Sequence, residues 1–157
     1  MDIFYEPHRI FLTQMIDAGI EFMLVGGYAV NYYGYNRPTG DMDLWLKPDN
    51  SNRDKFIQIL IAEDFIDEDI SVIKQADFTR PFIFHIGTAP YRIDFMNFIA
   101  NVEYADADAL KVTGEVDGMK LPVIHYDHLI RTKEISDRMK DRADVEELKK
   151  IRKNFGN

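Results

Sequence analysis

Leu24-Val25-Gly26-Gly27-Tyr28-Ala29-Val30, then Arg37-Pro38-Thr39-Gly40-Asp41-Met42-Asp43-Leu44-Trp45-Leu46, is the stretch that decides the fold. Ile20 to Val25 is a short apolar run bounded by Gly19 and Gly26, which predicts a buried strand. Residues 27–34 predict a short helix ending at Gly34, and Pro38 and Gly40 punctuate the loop that follows. Asp41 to Leu46 alternates carboxylates with large apolar residues, the pattern of a strand with two unlike faces.

On such a strand Asp41 and Asp43 share a face about 7 Å apart, with Met42, Leu44 and Leu46 on the other. Like charges so close raise each other's pKa unless a cation stands between them. Hard divalent cations take oxygen ligands, so the pair points to Mg²⁺. A second strand, Tyr91 to Phe98, places Asp94 on one face with Arg92 and Met96, and Ile93 and Phe95 on the other. If the two strands pair, three carboxylates converge, enough to hold two metal ions about 3.5–4 Å apart for in-line phosphoryl chemistry. Each motif alone has a plainer reading: Asp-x-Asp as a solvated edge, and Asp94 as the ion-pair partner of Arg92 or Arg80. Gly26-Gly27 shifts the balance, because glycines between a strand and a helix let backbone amides approach an anion.

Outward from this centre, residues 6–18 predict a helix, and Asn50 or Ser51 is placed to cap another through about Ala62. Residues 70–76 and 81–86 predict two strands. Asp117-Gly118 suits a hairpin turn, and residues 126–136 and 138–153 predict two charged amphipathic helices. The sum is an α/β or α+β fold, a mixed sheet with flanking helices. At 157 residues the chain is expected to form a single domain, 1–157, with 126–157 as a helical C-terminal extension.

With 46% hydrophobic and 29% charged residues, the composition is globular rather than disordered. There is no cysteine, which excludes thiolate metal sites and disulfides. Asp2, Glu6, His8, Arg9 and Asp17 interrupt any signal-peptide core. No apolar run approaches the ~18 residues of a membrane span, so a cytoplasmic protein with no membrane partner is expected. Nine Lys and Arg face seven Asp and Glu from Asp127 onward, a net of +2 within a total of −8, so the remainder carries −10. So acidic a body disfavours a nucleic-acid partner, which is bound by neutralising phosphates.

Val25-Gly26-Gly27, thirteen residues, then Asp41-Met42-Asp43-Leu44 resembles the signature of the DNA polymerase β-like nucleotidyltransferase superfamily. The stretch Leu24 to Leu46, with Arg37-x-Thr39-x-Asp41-x-Asp43, is similar to its small bacterial members, including the lincosamide nucleotidyltransferases. Asp94 in Arg92-Ile93-Asp94-Phe95 matches the third family carboxylate, and Leu129 to Lys133 with Arg138-x-Lys140-Asp141 looks like the helical tail. Tyr28 after the glycine pair departs from the serine or small polar residue many members carry there. The resemblance implies a nucleotidyltransferase fold and transfer of a nucleoside monophosphate from a nucleoside triphosphate to an acceptor hydroxyl. Asp41, Asp43 and Asp94 would hold two Mg²⁺, with Mn²⁺ the other candidate, and Asp94 would serve as base. Gly26 and Gly27 would hold phosphates.

Arg37, Thr39, Lys47 and Lys133 are further candidates for phosphate or nucleobase, and Tyr28, Tyr32 and Tyr33 could stack on a base or pack in the core. His125 and His128 have no third ligand at a familiar spacing, and His85 has no evident partner. The acceptor is open between a small molecule and a protein, with an antitoxin-like protein-interaction module, a non-catalytic nucleotide binder and a homodimer as other readings. Haloacid dehalogenase-type phosphatases and Asp-x-Asp glycosyltransferases fit less well: position 45 is Trp rather than Thr or Val, and the latter generally need a longer chain and lack Gly-Gly.

Overall fold

A computed structural model describes residues 5–116 and 118–155. Helix α1 (Glu6–Asp17) leads to strand β1 (Phe22–Val25), helix α2 (Gly26–Tyr32) and strand β2 (Met42–Leu46). Helices α3 (Asn50–Ala62) and α4 (Asp67–Gln75) precede strands β3 (Ile83–Ile86) and β4 (Ile93–Met96). Helix α5 (Tyr104–Leu110), the hairpin β5 (Val112–Val116) and β6 (Met119–Val123), and helices α6 (Tyr126–Glu134) and α7 (Met139–Phe155) follow. The strands form one mixed sheet in the order β3-β4-β2-β1-β6-β5. The β2–β4 and β1–β6 pairs are parallel, the others antiparallel. This is the α+β arrangement expected, a mixed sheet with flanking helices.

Both faces of the central strands are covered. On one face Phe95 of β4 meets Phe56 of α3 at 4.8 Å between ring centroids and Phe11 of α1 at 5.9 Å. On the other, Trp45 of β2 meets Tyr104 of α5 edge-on at 5.2 Å. Burial on both faces explains why β1 reads as a continuous apolar run rather than an alternating one.

Three local readings are corrected. Residues 70–76 are not a strand but the greater part of α4. Ile70 and Ile73, three apart, are its buried positions, while Val72 is exposed. Asp67, Glu68 and Asp69 in the first turn and Lys74 in the last complement the helix dipole. Helix α5 forms where no element was expected, because Tyr104 and Ala107 bury one turn apart beside Trp45. The cap of α3 is Asp49, whose carboxylate accepts from the Asn52 amide at 2.7 Å, rather than Asn50 or Ser51. The hairpin turn falls as expected at Gly118, with φ +76°, while Asp117 lies outside the described residues. Among the described residues no helix is long and apolar enough to cross a membrane.

Candidate active site

The parallel pairing of β2 with β4 sets Asp43 opposite Asp94. Asp41 stands just before β2, where the Met42 amide donates to the Arg92 carbonyl at 3.0 Å. The condition read from the sequence, that the two carboxylate strands be neighbours, is met by register alone. Asp41, Asp43 and Asp94 line one cavity of about 290 Å³ together with Gly27, Arg37, Thr39 and Lys133.

The glycine pair acts here first through packing. A Cβ on Gly26, whose φ is +65°, would stand 2.1 Å from Asp43 Oδ2. A Cβ on Gly27 would stand 2.1 Å from Thr39 Oγ1. The first turn of α2 therefore rests directly on the Asp43 carboxylate and the Thr39 hydroxyl, an approach that any side chain would prevent.

Asp43 is pushed up to about pH 6 by burial, then by the charges of Asp94 and Asp41, while Lys133 and Lys140 pull the other way. Its neighbours are already occupied. The Arg92 guanidinium reaches Asp41 Oδ2 at 2.9 Å from Nη2 and Asp94 Oδ1 at 2.9 Å from Nε. Of the two arginines considered for Asp94, Arg92 is the partner, and Arg80 instead faces Asp77. Among the described residues no group of three or more carboxylates or histidines stands in an arrangement that could hold a metal ion as it is. The donor set nevertheless suits a hard cation: three carboxylates on adjacent backbone, one whose charge is disfavoured by burial and repulsion and two bridged by a positive side chain.

The far wall comes from the C-terminal helices. Arg37 donates to both oxygens of Asp144, at 2.6 and 2.8 Å. Lys133 Nζ lies 3.1 Å from Asp141 and 3.0 Å from Asp144, and Arg138 reaches Asp141 at 2.9 Å. Burial would raise both aspartates, yet hydrogen bonds from Lys133, Arg37, Arg138 and Ser136 hold both below the usual carboxylate range. Arg37 and Lys133, expected to bind nucleotide, do line the cavity but are committed to buried carboxylates. Of the cavity's lysines and arginines, Lys140 is the one that pairs with no carboxylate of the described residues. Sequence reasoning did not single it out as a site residue. Its signal was present in Arg138-x-Lys140-Asp141, where alternate basic residues precede the buried Asp141.

Other candidates fall elsewhere. Lys47 bonds Glu21 at 3.1 Å and lies 3.7 Å from Asp49, at the end of β2 about 13 Å beyond Asp43. The strand's alternation gives it the right face but the wrong end. Tyr28 is half-buried, its phenol pushed up by burial and by Asp41 and Asp43. Tyr32 packs where a Gly114 Cβ would be, and Tyr33 donates to the Ile124 carbonyl at 2.7 Å, so both are structural. His125 Nδ1 accepts from the Asp127 amide at 3.1 Å, a local cap to α6. His85 sits in β3 opposite Asp94.

The fold is that of nucleotidyltransferases. The chain is similar to the lincomycin-bound lincosamide antibiotic adenylyltransferase LnuA, at TM-score 0.57 and 13% identity over 96% of this chain and 99% of that one. It is similar also to ANT(2")-Ia in complex with adenylyl-2"-tobramycin, at TM-score 0.57 and 12% identity over 96% and 95%. An antigenic nucleotidyltransferase-like protein from Paracoccidioides brasiliensis gives TM-score 0.53 and 14% identity over 90% and 72%. No family model matches the sequence, and no curated protein matches it significantly.

Proposed function

We propose that this chain is a nucleotidyltransferase that moves a nucleoside monophosphate from a nucleoside triphosphate to an acceptor hydroxyl and releases pyrophosphate. The observation that carries this reading is the pairing of Asp43 with Asp94 on neighbouring parallel strands, beside Lys140, which has no ion pair among the described residues, in a nucleotidyltransferase fold. Asp41, Asp43 and Asp94 would hold Mg²⁺ or Mn²⁺, which when bound supplies charge to neutralise phosphate oxygens and acidify the hydroxyl. Lys140 takes a non-bridging phosphate oxygen as a point charge, and Thr39 and the amides around Gly27 complete the anion site. The acceptor oxygen bonds to the α-phosphorus as the α–β phosphoanhydride bond breaks, and the hydroxyl proton passes to the Asp94 carboxylate. Pyrophosphate departs on the Lys140 side. In this reading Asp41 and Asp94 would have to exchange their pairs with Arg92 for the cation.

Two of the similar structures carry an antibiotic, lincomycin in one and adenylylated tobramycin in the other, and a small hydroxylated molecule is the first class to try here. Arg92 supports a second reading, in which its grip on Asp41 and Asp94 persists and the chain binds nucleotide without turnover. The four nucleoside triphosphates, each with and without Mg²⁺, separate these outcomes. A rise in Tm that needs both a triphosphate and Mg²⁺ is expected. Triphosphate binding that ignores Mg²⁺ favours the second reading, and no shift with any triphosphate overturns both.

A further inference from the structure

The two sides of the cavity differ in kind. Lys133 of α6, with Arg138, Lys140 and Asp141 at the start of α7, forms the wall on the side of the C-terminal helices. Toward the sheet edge, beyond the residues that line the cavity, the strand register continues instead. Asp43, Asp94 and His85 form one row across β2, β4 and β3, and Trp45, Met96 and Ile83 form the next. Paired residues point to the same side of a sheet, so both rows lie on the carboxylate face.

Over β2 that face is closed, because Tyr104 packs on Trp45. Over β3 it is open. Ile83 is 78% exposed and Phe98, just past β4, is 54% exposed, while His85 is exposed beside Asp94. The opposite face of β3 is committed to the core, where Phe84 lies 6.2 Å from both Phe56 and Phe95 between ring centroids. An outer-facing strand position next to a core strand needs only a polar residue, so the exposed isoleucine is not demanded by folding.

In-line displacement puts the attacking oxygen opposite the leaving pyrophosphate. With the triphosphate toward Lys140, the acceptor must arrive over Asp94 from the β3 side. We infer that Ile83 and Met96 form the floor of the acceptor site, with His85 offering a hydrogen bond at its rim. The acceptor is then a small hydroxyl compound with an uncharged apolar body, not a polycation. Its hydroxyl lies at Asp94 and its apolar portion begins about 7 Å away, one strand repeat along β3 and β4. The inference rests on the nucleotidyl-transfer reading and names the substrate class of that site.

The test uses n-hexyl and methyl β-D-glucopyranoside as probes. The protein is saturated with Mg²⁺ and the α,β-methylene analogue of whichever triphosphate gives the largest thermal shift. Saturation-transfer NMR is expected to show the hexyl glycoside binding about tenfold more tightly in the wild type. Ile83→Gln should abolish that difference and Ile83→Leu should keep it, both retaining the nucleotide-dependent rise in Tm. Equal binding of the two glycosides, or a preference that survives Ile83→Gln, overturns the assignment. So does sedimentation showing a dimer that Ile83→Gln converts to monomer, since a second copy would then cover this face. Loss of the nucleotide shift itself in the wild type would instead sink the transfer reading, whatever the glycosides do.

Discussion

Two groups of aspartates face the same cavity and have opposite electrostatics. On the sheet, Asp43 is raised to about pH 6 by burial and by Asp94 and Asp41. On α7, Asp141 and Asp144 are more deeply buried, at 2% and 0% exposure, yet both are held low. Burial acts the same way on both groups, so the difference lies in the donors. Asp144 has Arg37 and Lys133, and Asp141 has Lys133 and Arg138. Asp43 has no ion pair among the described residues; Asp94 and Asp41 repel it, and Lys133 and Lys140 offset that only in part. One group is neutralised as folded and ties α6, α7 and the Arg37 loop together; the other keeps excess negative charge facing the cavity, the charge that the proposed cation would offset.

Removing a partner from the complete group should have the largest effect. Asp144→Ala leaves Arg37 and Lys133 facing a buried gap, and urea unfolding should show a loss of about 3–5 kcal/mol. Next comes Asp43, whose raised pKa favours the folded state below about pH 4 and loses that contribution as pH rises through about 6. Without divalent cation, Asp43→Asn should gain on the wild type above pH 6 by up to roughly 3 kcal/mol, a gap that closes toward pH 4 in parallel unfolding curves. A gap independent of pH would mean that Asp43 is not strained. Turnover reads the other two carboxylates: Asp94→Asn or Asp41→Asn is expected to lower nucleotidyl transfer by at least ~10²-fold, measured as labelled monophosphate incorporated.

Smaller effects sharpen the contrast between free and committed cations. Lys140→Met should weaken triphosphate binding about tenfold, with unfolding unchanged. Arg37→Met should do the reverse, appearing first in unfolding. Lys47→Met, which breaks only exposed pairs with Glu21 and Asp49, should leave both the urea midpoint and triphosphate affinity unaltered.

What was legible in the sequence was periodic or short-range. Asp41 and Asp43 share a face because a strand repeats every two residues, and Gly26-Gly27 marks a close approach because only glycine permits one. Asp94 was legible for the same reason as Asp43, an isolated carboxylate in an otherwise apolar strand. The misread segment shows the limit. Ile70-Ser71-Val72-Ile73 fits a strand and a helix equally by composition, and only packing against α3 selects the helix.

The glycine turn, the carboxylate strands and their alternation are set by local stereochemistry and so can be read from residue order. Which charges meet is set by how the helices pack. Lys133 and Lys140 are both lysines at cavity-facing positions, yet one is clamped between two buried aspartates and the other has none. That distinction depends on partners brought together by the docking of α6 on α7, and no local pattern encodes it.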